Sequence, residues 1–161
     1  MLNDLLYLKF KRIMKKNKII LSFSLLDFND ITPEEITQLL NVNPTKICVK
    51  GQRRNPKNPE SPLIKQNGWM IDSPLGQYAS FEDQMNSLLD IIESKIDIFR
   101  ALCKMYYCEF SCAIFMYLGN EESTPWVHLD SRYNELIKEL NIEFDLDLYV
   151  FPNEEVSNSN L

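Results

Sequence analysis

The sequence predicts a two-layer α+β domain. Short stretches alternate apolar and polar residues with the period of a strand, whereas longer ones return an apolar residue every three or four positions, as a helix does. The two kinds interleave along a chain of 161 residues, a length that suits one domain with its own core. Apolar residues make up 45% and charged residues 25%. Those fractions exclude collagen, coiled coil, disordered chain and disulfide scaffold.

Residues 1–17 read as a basic N-terminal extension outside the fold, with weak helical spacing of Leu2, Leu5, Leu6, Phe10 and Ile13. The first strand covers about 18–28, with Leu21, Phe23 and Leu25 on one face and Ser22 and Ser24 on the other. A helix follows. Thr32 caps it, Pro33 suits its first position, and Glu35 completes a T-x-x-E capping box. Ile31 and Ile36 are placed as a hydrophobic staple; Ile36, Leu39 and Leu40 form the apolar face, and 41–44 ends the helix.

A strand over 45–50 enters a loop, 51–62, in which three prolines and a glycine oppose regular structure. A third strand emerges at 68–71, so the two strands make an open hairpin. The longest helix is expected over 81–105, opened by Ser80, with Phe81, Met85, Leu88, Leu89, Ile92, Ile96, Phe99 and Cys103 in one stripe. The fourth strand, 109–118, turns Phe110, Cys112, Ile114, Met116 and Leu118 inward and ends at Gly119-Asn120. Trp126 is expected to pack as core. The third helix starts at Asp130 or Ser131 on Tyr133, Leu136, Ile137 and Leu140. The last strand, 143–151, alternates Phe144, Leu146, Leu148 and Val150 (inward) with Glu143, Asp145, Asp147 and Tyr149.

The domain therefore spans 18–151, and a polar tail fills 152–161. The order is β-α-β-β-α-β-α-β. Its first six elements match the split βαβ, ferredoxin-like plan, with the two longer helices on one face, and a C-terminal helix–strand unit extends the sheet.

Four cysteines without CxxC spacing and a single histidine give no zinc pattern, and no disulfide framework is expected. With no signal peptide and no long uncharged run, the expectation is a cytoplasmic protein without a membrane partner. The net charge is −6, and it is unevenly spread: residues 1–18 and 46–65 are each +5, whereas 66–161 are −12. A largely acidic surface repels phosphate backbones, so no nucleic-acid partner is expected.

The stretch 20–150 resembles a bacterial family known only as a domain of unknown function, DUF 4279. The resemblance rests on the opening strand leading into I-T-P-E-E-I-T-Q-L-L (31–40), Pro44-Thr45-Lys46, Lys50-Gly51, Trp69, the helix with its D-Q-M-N-S-L-L-D core (83–90), and the ending L-N-I-E-F-D-L-D-L-Y (140–149). It implies a small α+β domain and no established chemistry. By analogy, short acidic chains of this kind resemble immunity proteins.

Candidate sites are few. Lys50, Arg53, Arg54 and Trp69 make one patch if the indole floors the arginine loop, and guanidinium pairs with carboxylate or phosphate. His128 would add a titratable group for a ligand-binding domain or small enzyme. Asp145 and Asp147 share a strand face, too far apart to hold one ion from that strand alone. Only four glycines are present, none in a phosphate-binding pattern, and there is no G-x-S-x-G. The expected function is a non-enzymatic protein–protein interaction module, without cofactor or metal, whose acidic surface meets a basic protein partner. A homodimer through a sheet edge is compatible, because an open sheet needs its edges covered.

Overall fold

The computed structural model describes residues 14–152. The expectations for 1–13 and 153–161 lie outside the described residues. The elements are β1 (Lys18–Leu26), α1 (Pro33–Leu40), β2 (Lys46–Cys48), β3 (Gly68–Asp72), α2 (Phe81–Glu93), α3 (Ile96–Met105), β4 (Tyr107–Leu118), α4 (Ser131–Glu139) and β5 (Glu143–Pro152). The five strands form one mixed sheet in the order β2-β3-β1-β4-β5. Every neighbouring pair is antiparallel except β4 and β5, which run parallel.

The alternation in β1 sets the layers. Ile19, Leu21, Phe23 and Leu25 are buried, and Phe23 meets Phe99 of α3 and Phe110 of β4 edge-on, with centroids 5.4 and 5.5 Å away. α1 has the expected capping box: the Glu35 N–H donates to Thr32 Oγ1 (3.2 Å), and the Thr32 N–H donates to the Glu35 carboxylate (2.8 Å). Asn41 closes the helix in the left-handed conformation. Ile36 and Leu40 are buried as read, but Leu39 faces outward, off the side of the helix that carries Ile36, Thr37 and Leu40 to the sheet.

Further expectations are corrected, among them Leu118 of β4, which was read as inward and is 56% exposed at the strand's end. The helix read over 81–105 is two helices, broken at Ser94-Lys95, where Lys95 N–H turns to the Ile92 carbonyl and Ser94 Oγ donates to Ile91 O (2.7 Å). The stripe hides the break, since Ile92, Ile96, Phe99 and Cys103 keep helical steps across it. The loop 51–62 holds neither helix nor strand, as expected; an isolated bridge between Arg53 and Leu63, with Gly51 N–H donating to Ile64 O, Ile64 N–H to Gln52 O and Arg54 N–H to Pro62 O, draws 50–66 into a narrow, solvent-exposed arm. In β5, finally, only Phe144 reaches the core, edge-on to Phe81 and Tyr133. Leu146, Leu148 and Val150, expected inward, are 49%, 58% and 50% exposed, because the helix layer stops short of them.

β1 runs further than β3 can follow. Their pairing ends at Ser22 and Asp72, which leaves the start of β1 without a ladder on that side. The gap is closed by other groups. Ile19 N–H donates to Gln77 O and Ser73 N–H to Leu21 O, both at 2.9 Å. The buried Gln84 of α2 accepts from Leu21 N–H (3.2 Å) and donates to the Ile19 and Ala79 carbonyls (3.0 Å each). Replacing Gln84 with alanine leaves these backbone groups unpaired in the core. The expected loss is about 2–3 kcal/mol in urea unfolding. The same change at exposed Gln38 should stay within about 0.5 kcal/mol, and equal losses at the two positions would contradict the assignment.

Candidate functional site

The sequence-derived site residues fall in three places. Lys50, Arg53 and Arg54 lie on the exposed arm, where Arg53 Nη1 donates to Ser61 O (3.1 Å). Trp69 is not a floor beneath them. It points into the helix layer, fully buried, and its Nε1 donates to Thr37 Oγ1 of α1 (3.0 Å). His128 is exposed on the segment between β4 and α4, stacked on Trp126 at 5.9 Å. Trp126, expected in the core, is 60% exposed. The arm joins β2 and β3 at one edge of the sheet, whereas the His128 segment leads toward β5 at the other. The structure does not bring Arg53, Arg54, Trp69 and His128 together.

Trp126 borders an open cleft of about 610 Å³ shared with Lys16, Lys18, Gln77, Tyr78 and Ser80. Among the described residues no three His, Cys, Asp or Glu side chains are placed to hold one metal ion, and no helix is long and apolar enough to cross a membrane. Three of the four thiols are shielded from reagents. Cys103, Cys108 and Cys112 are buried; burial pushes Cys112 up to about 11, and a hydrogen bond with Cys103, together with burial, pushes Cys108 upward. Cys48 is half-buried.

Part of the acidic surface is already engaged within the molecule. Arg132 of α4 bonds Asp90 and Glu93 of α2, and Arg100 of α3 bonds Asp97 and Glu139. These contacts raise both arginine pKa values and tie the helices to one another. Asp145 and Asp147, by contrast, stand exposed on β5 with no cation bonded to either among the described residues. At the start of the strand Glu143 and Glu109 both accept from the Tyr107 hydroxyl (3.1 Å each). Desolvation and those two carboxylates push Tyr107 up to about 12.

The feature missed in the sequence is the outer end of β4 and β5. Phe115 stacks on Tyr149 (centroids 4.9 Å) and Tyr117 on Phe151 (5.5 Å). Lys18 Nζ lies 4.6 Å from the Phe115 centroid and Lys15 Nζ 5.5 Å from that of Tyr117. These rings share the sheet face of Asp145 and Asp147, while Leu146, Leu148 and Val150 cover the other face of the same strand. β5 is thus apolar on both sides toward its end, with one edge unpaired among the described residues. The run Tyr149-Val150-Phe151 breaks the alternation and was the available signal.

A family model matches residues 17–151, most of the chain and all five strands but the last residue of β5. The chain belongs to the family described as a domain of unknown function, DUF4279. Neither the curated proteins nor the solved structures contain a match. The DUF4279 match takes in the arm, β5 and both lysines' aromatic partners, Phe115 and Tyr117.

Burial of the thiols has two measurable consequences. Iodoacetamide should label the native chain once, at Cys48, and four times after unfolding; a second native adduct would contradict the packing. Cys112 titrates near 9 when free and near 11 when folded, so its stabilising effect is complete below about 9 and lost as pH rises toward about 11. Cys112→Ala should flatten that part of the stability–pH curve, and an unchanged slope would exclude Cys112 as a cause.

Proposed function

We propose that this chain is a non-enzymatic protein–protein interaction module that works through β5 and the adjoining surface of β4. The observation that carries the reading is the long outer strand, which combines an unpaired edge, exposed leucines and rings, and unneutralised carboxylates. Monomeric surfaces rarely leave such apolar patches uncovered unless something binds there. The arm arginines and His128 lie apart, and three thiols are buried, so no single constellation argues for chemistry.

The finer fold reading supports the same view. We take β2-β3-β1-β4 as the split βαβ, ferredoxin-like plan, with β5 added in parallel as an outer strand that this plan does not require. An added strand whose inward face is mostly uncovered contributes little to the core and is free to serve binding. In a cell we place the protein in the bacterial cytoplasm, in an immunity-type or accessory role. A polypeptide partner with basic residues would complement Asp145 and Asp147, while apolar side chains met Leu146, Leu148 and Val150.

Affinity capture with the full chain, at low and physiological salt, tests the reading. We expect a stoichiometric polypeptide partner whose binding weakens about tenfold or more in the Asp145→Lys, Asp147→Lys double variant. Retained capture by that variant, or a small molecule carried in place of a protein, would overturn it.

A further inference from the structure

We propose that the polypeptide on the β5 edge is a second copy of this chain, paired antiparallel about a two-fold axis at Leu148, so that two five-stranded sheets become one. The inference rests on the interaction reading and keeps its surface and apolar contacts, but it replaces the basic partner with a copy whose Tyr149 and Phe151 lie opposite the two carboxylates.

The second half of the edge is unguarded. β5 is ten residues long, bonded on one side to β4, with its only proline at the last position and no lysine. Prolines, charged side chains and bulges are the usual means of blunting an edge strand, and the charges of β5, Glu143, Asp145 and Asp147, are confined to its first half. Geometry then limits how a copy can add. A two-fold axis perpendicular to the sheet gives antiparallel strands and keeps the helix-side faces of both copies together. A parallel two-fold pairing turns one sheet over and sets Leu146 and Leu148 beside carboxylates.

Charge selects the register. With the axis at Leu148, the helix-side row places Leu148 against the partner's Leu148 and Leu146 against the partner's Val150. On the other face, Asp147 lies opposite the partner's Tyr149 and Asp145 opposite the partner's Phe151. Cross-strand register within one copy continues these rows: Lys18, Phe115 and Tyr149 are aligned, and Tyr117 is aligned with Phe151 beneath Lys15. Each row therefore runs from a lysine across two stacked rings to a carboxylate of the other copy. Opposite charges cap the two ends of an aromatic row.

Neighbouring registers lose this. An axis at Asp147 faces that carboxylate with its own copy, and an axis at Leu146 faces Asp145 with the partner's Asp147; like charges directly opposite are destabilising. An axis at Tyr149 keeps the acids apart but draws fewer described residues of β5 into the pair and sets two Tyr149 rings against each other. Leu148 is the position that satisfies length, face and charge together.

Light scattering and sedimentation equilibrium of the full chain across the micromolar range provide the test. We expect a dimer, weakened about 30-fold or more by Leu148→Lys, which sets two ammonium groups at the axis. Leu75→Lys, at an exposed leucine away from β5, should leave it unchanged. In a Cys48→Ser background, diamide should cross-link Leu148→Cys to itself but not Leu146→Cys, which reads the register directly. Circular dichroism of Leu148→Lys confirms folding, since Leu148 is largely exposed in one copy. A monomer throughout, or a dimer indifferent to Leu148→Lys, overturns self-pairing. If a monomer's β5 amides nevertheless resist hydrogen exchange, the edge belongs to another segment of the same chain and self-pairing again fails. In either case, continued loss of a different partner on charge reversal at Asp145 and Asp147 would leave the broader interaction reading standing. Loss of neither interaction would remove both.

Discussion

The side-chain amide of Gln84 holds the two layers in register. A central strand must have both edges satisfied, yet β3 leaves β1 at Ser22, several residues before β1 begins at Lys18. Gln84 supplies what a neighbouring strand would have supplied, one acceptor and one donor spaced to reach Leu21 N–H and Ile19 C=O. Because Gln84 belongs to α2, the bonds that complete the sheet also fix where the helix sits on it. The phase of α2 then decides which residues meet β1: Phe81, Met85, Leu88 and Ile92 are buried on the same side of the helix as the amide. Polar burial here carries little penalty, since each polar atom of the side chain is hydrogen-bonded.

The same arrangement explains why one end of the sheet is bare. α2 and α3 lie over β1 and the start of β4, and their turn at Ser94-Lys95 lets a single apolar stripe serve two directions. What remains for β5 is α4. Nine helical residues span about 14 Å, whereas the ten residues of β5 extend about 33 Å. One short helix cannot shield such a strand. It covers the end at Phe144 and leaves Leu146 onward open, so the exposed leucines follow from element lengths and not from any local irregularity. The arginines act in the other direction: Arg132 and Arg100 clamp the helices to each other through carboxylates that would otherwise repel.

Much of this was legible in the chain. The capping box at Thr32 and Glu35, the Pro33 start, the inward rows of β1 and of β4 as far as Met116 and the start of α4 depend on local chemistry, which sequence records directly. The break at Ser94 was not legible, because both helices need apolar residues on the sheet side and the spacing runs through the turn unchanged. The two tryptophans were exchanged in role for a related reason. Alternation puts Trp69 on the same side as Ile71, in the core, but its position beside a basic loop suggested a surface floor. Trp126 lies in an irregular segment where no period reveals a face. For the candidate site, the acids at 145 and 147 were visible, while the exposure of Leu146, Leu148 and Val150 was not. Alternation shows that two faces differ; it does not show whether anything lies on either one.

That distinction bears on what β5 is for. A strand retained only for stability would be expected to bury its apolar face, since each leucine left in water forgoes about 1.5–3 kcal/mol of burial. Here three such side chains stay open on one face while Tyr149 and Phe151 are spent on the other, stacked on Phe115 and Tyr117 under two lysines. Stacking organises the rings without removing them from solvent: Tyr149 and Phe151 remain 42% and 38% exposed. Held flat and pre-ordered, those rings lose little further freedom when another surface arrives, which lowers the entropic cost of association. The carboxylates two positions back supply orientation, because any approaching strand must avoid placing its own acids against them. An outer strand built in this way is weak as a wall and well suited as a contact, and the fold tolerates it because the hydrogen bonds of Gln84 secure the sheet two strands away.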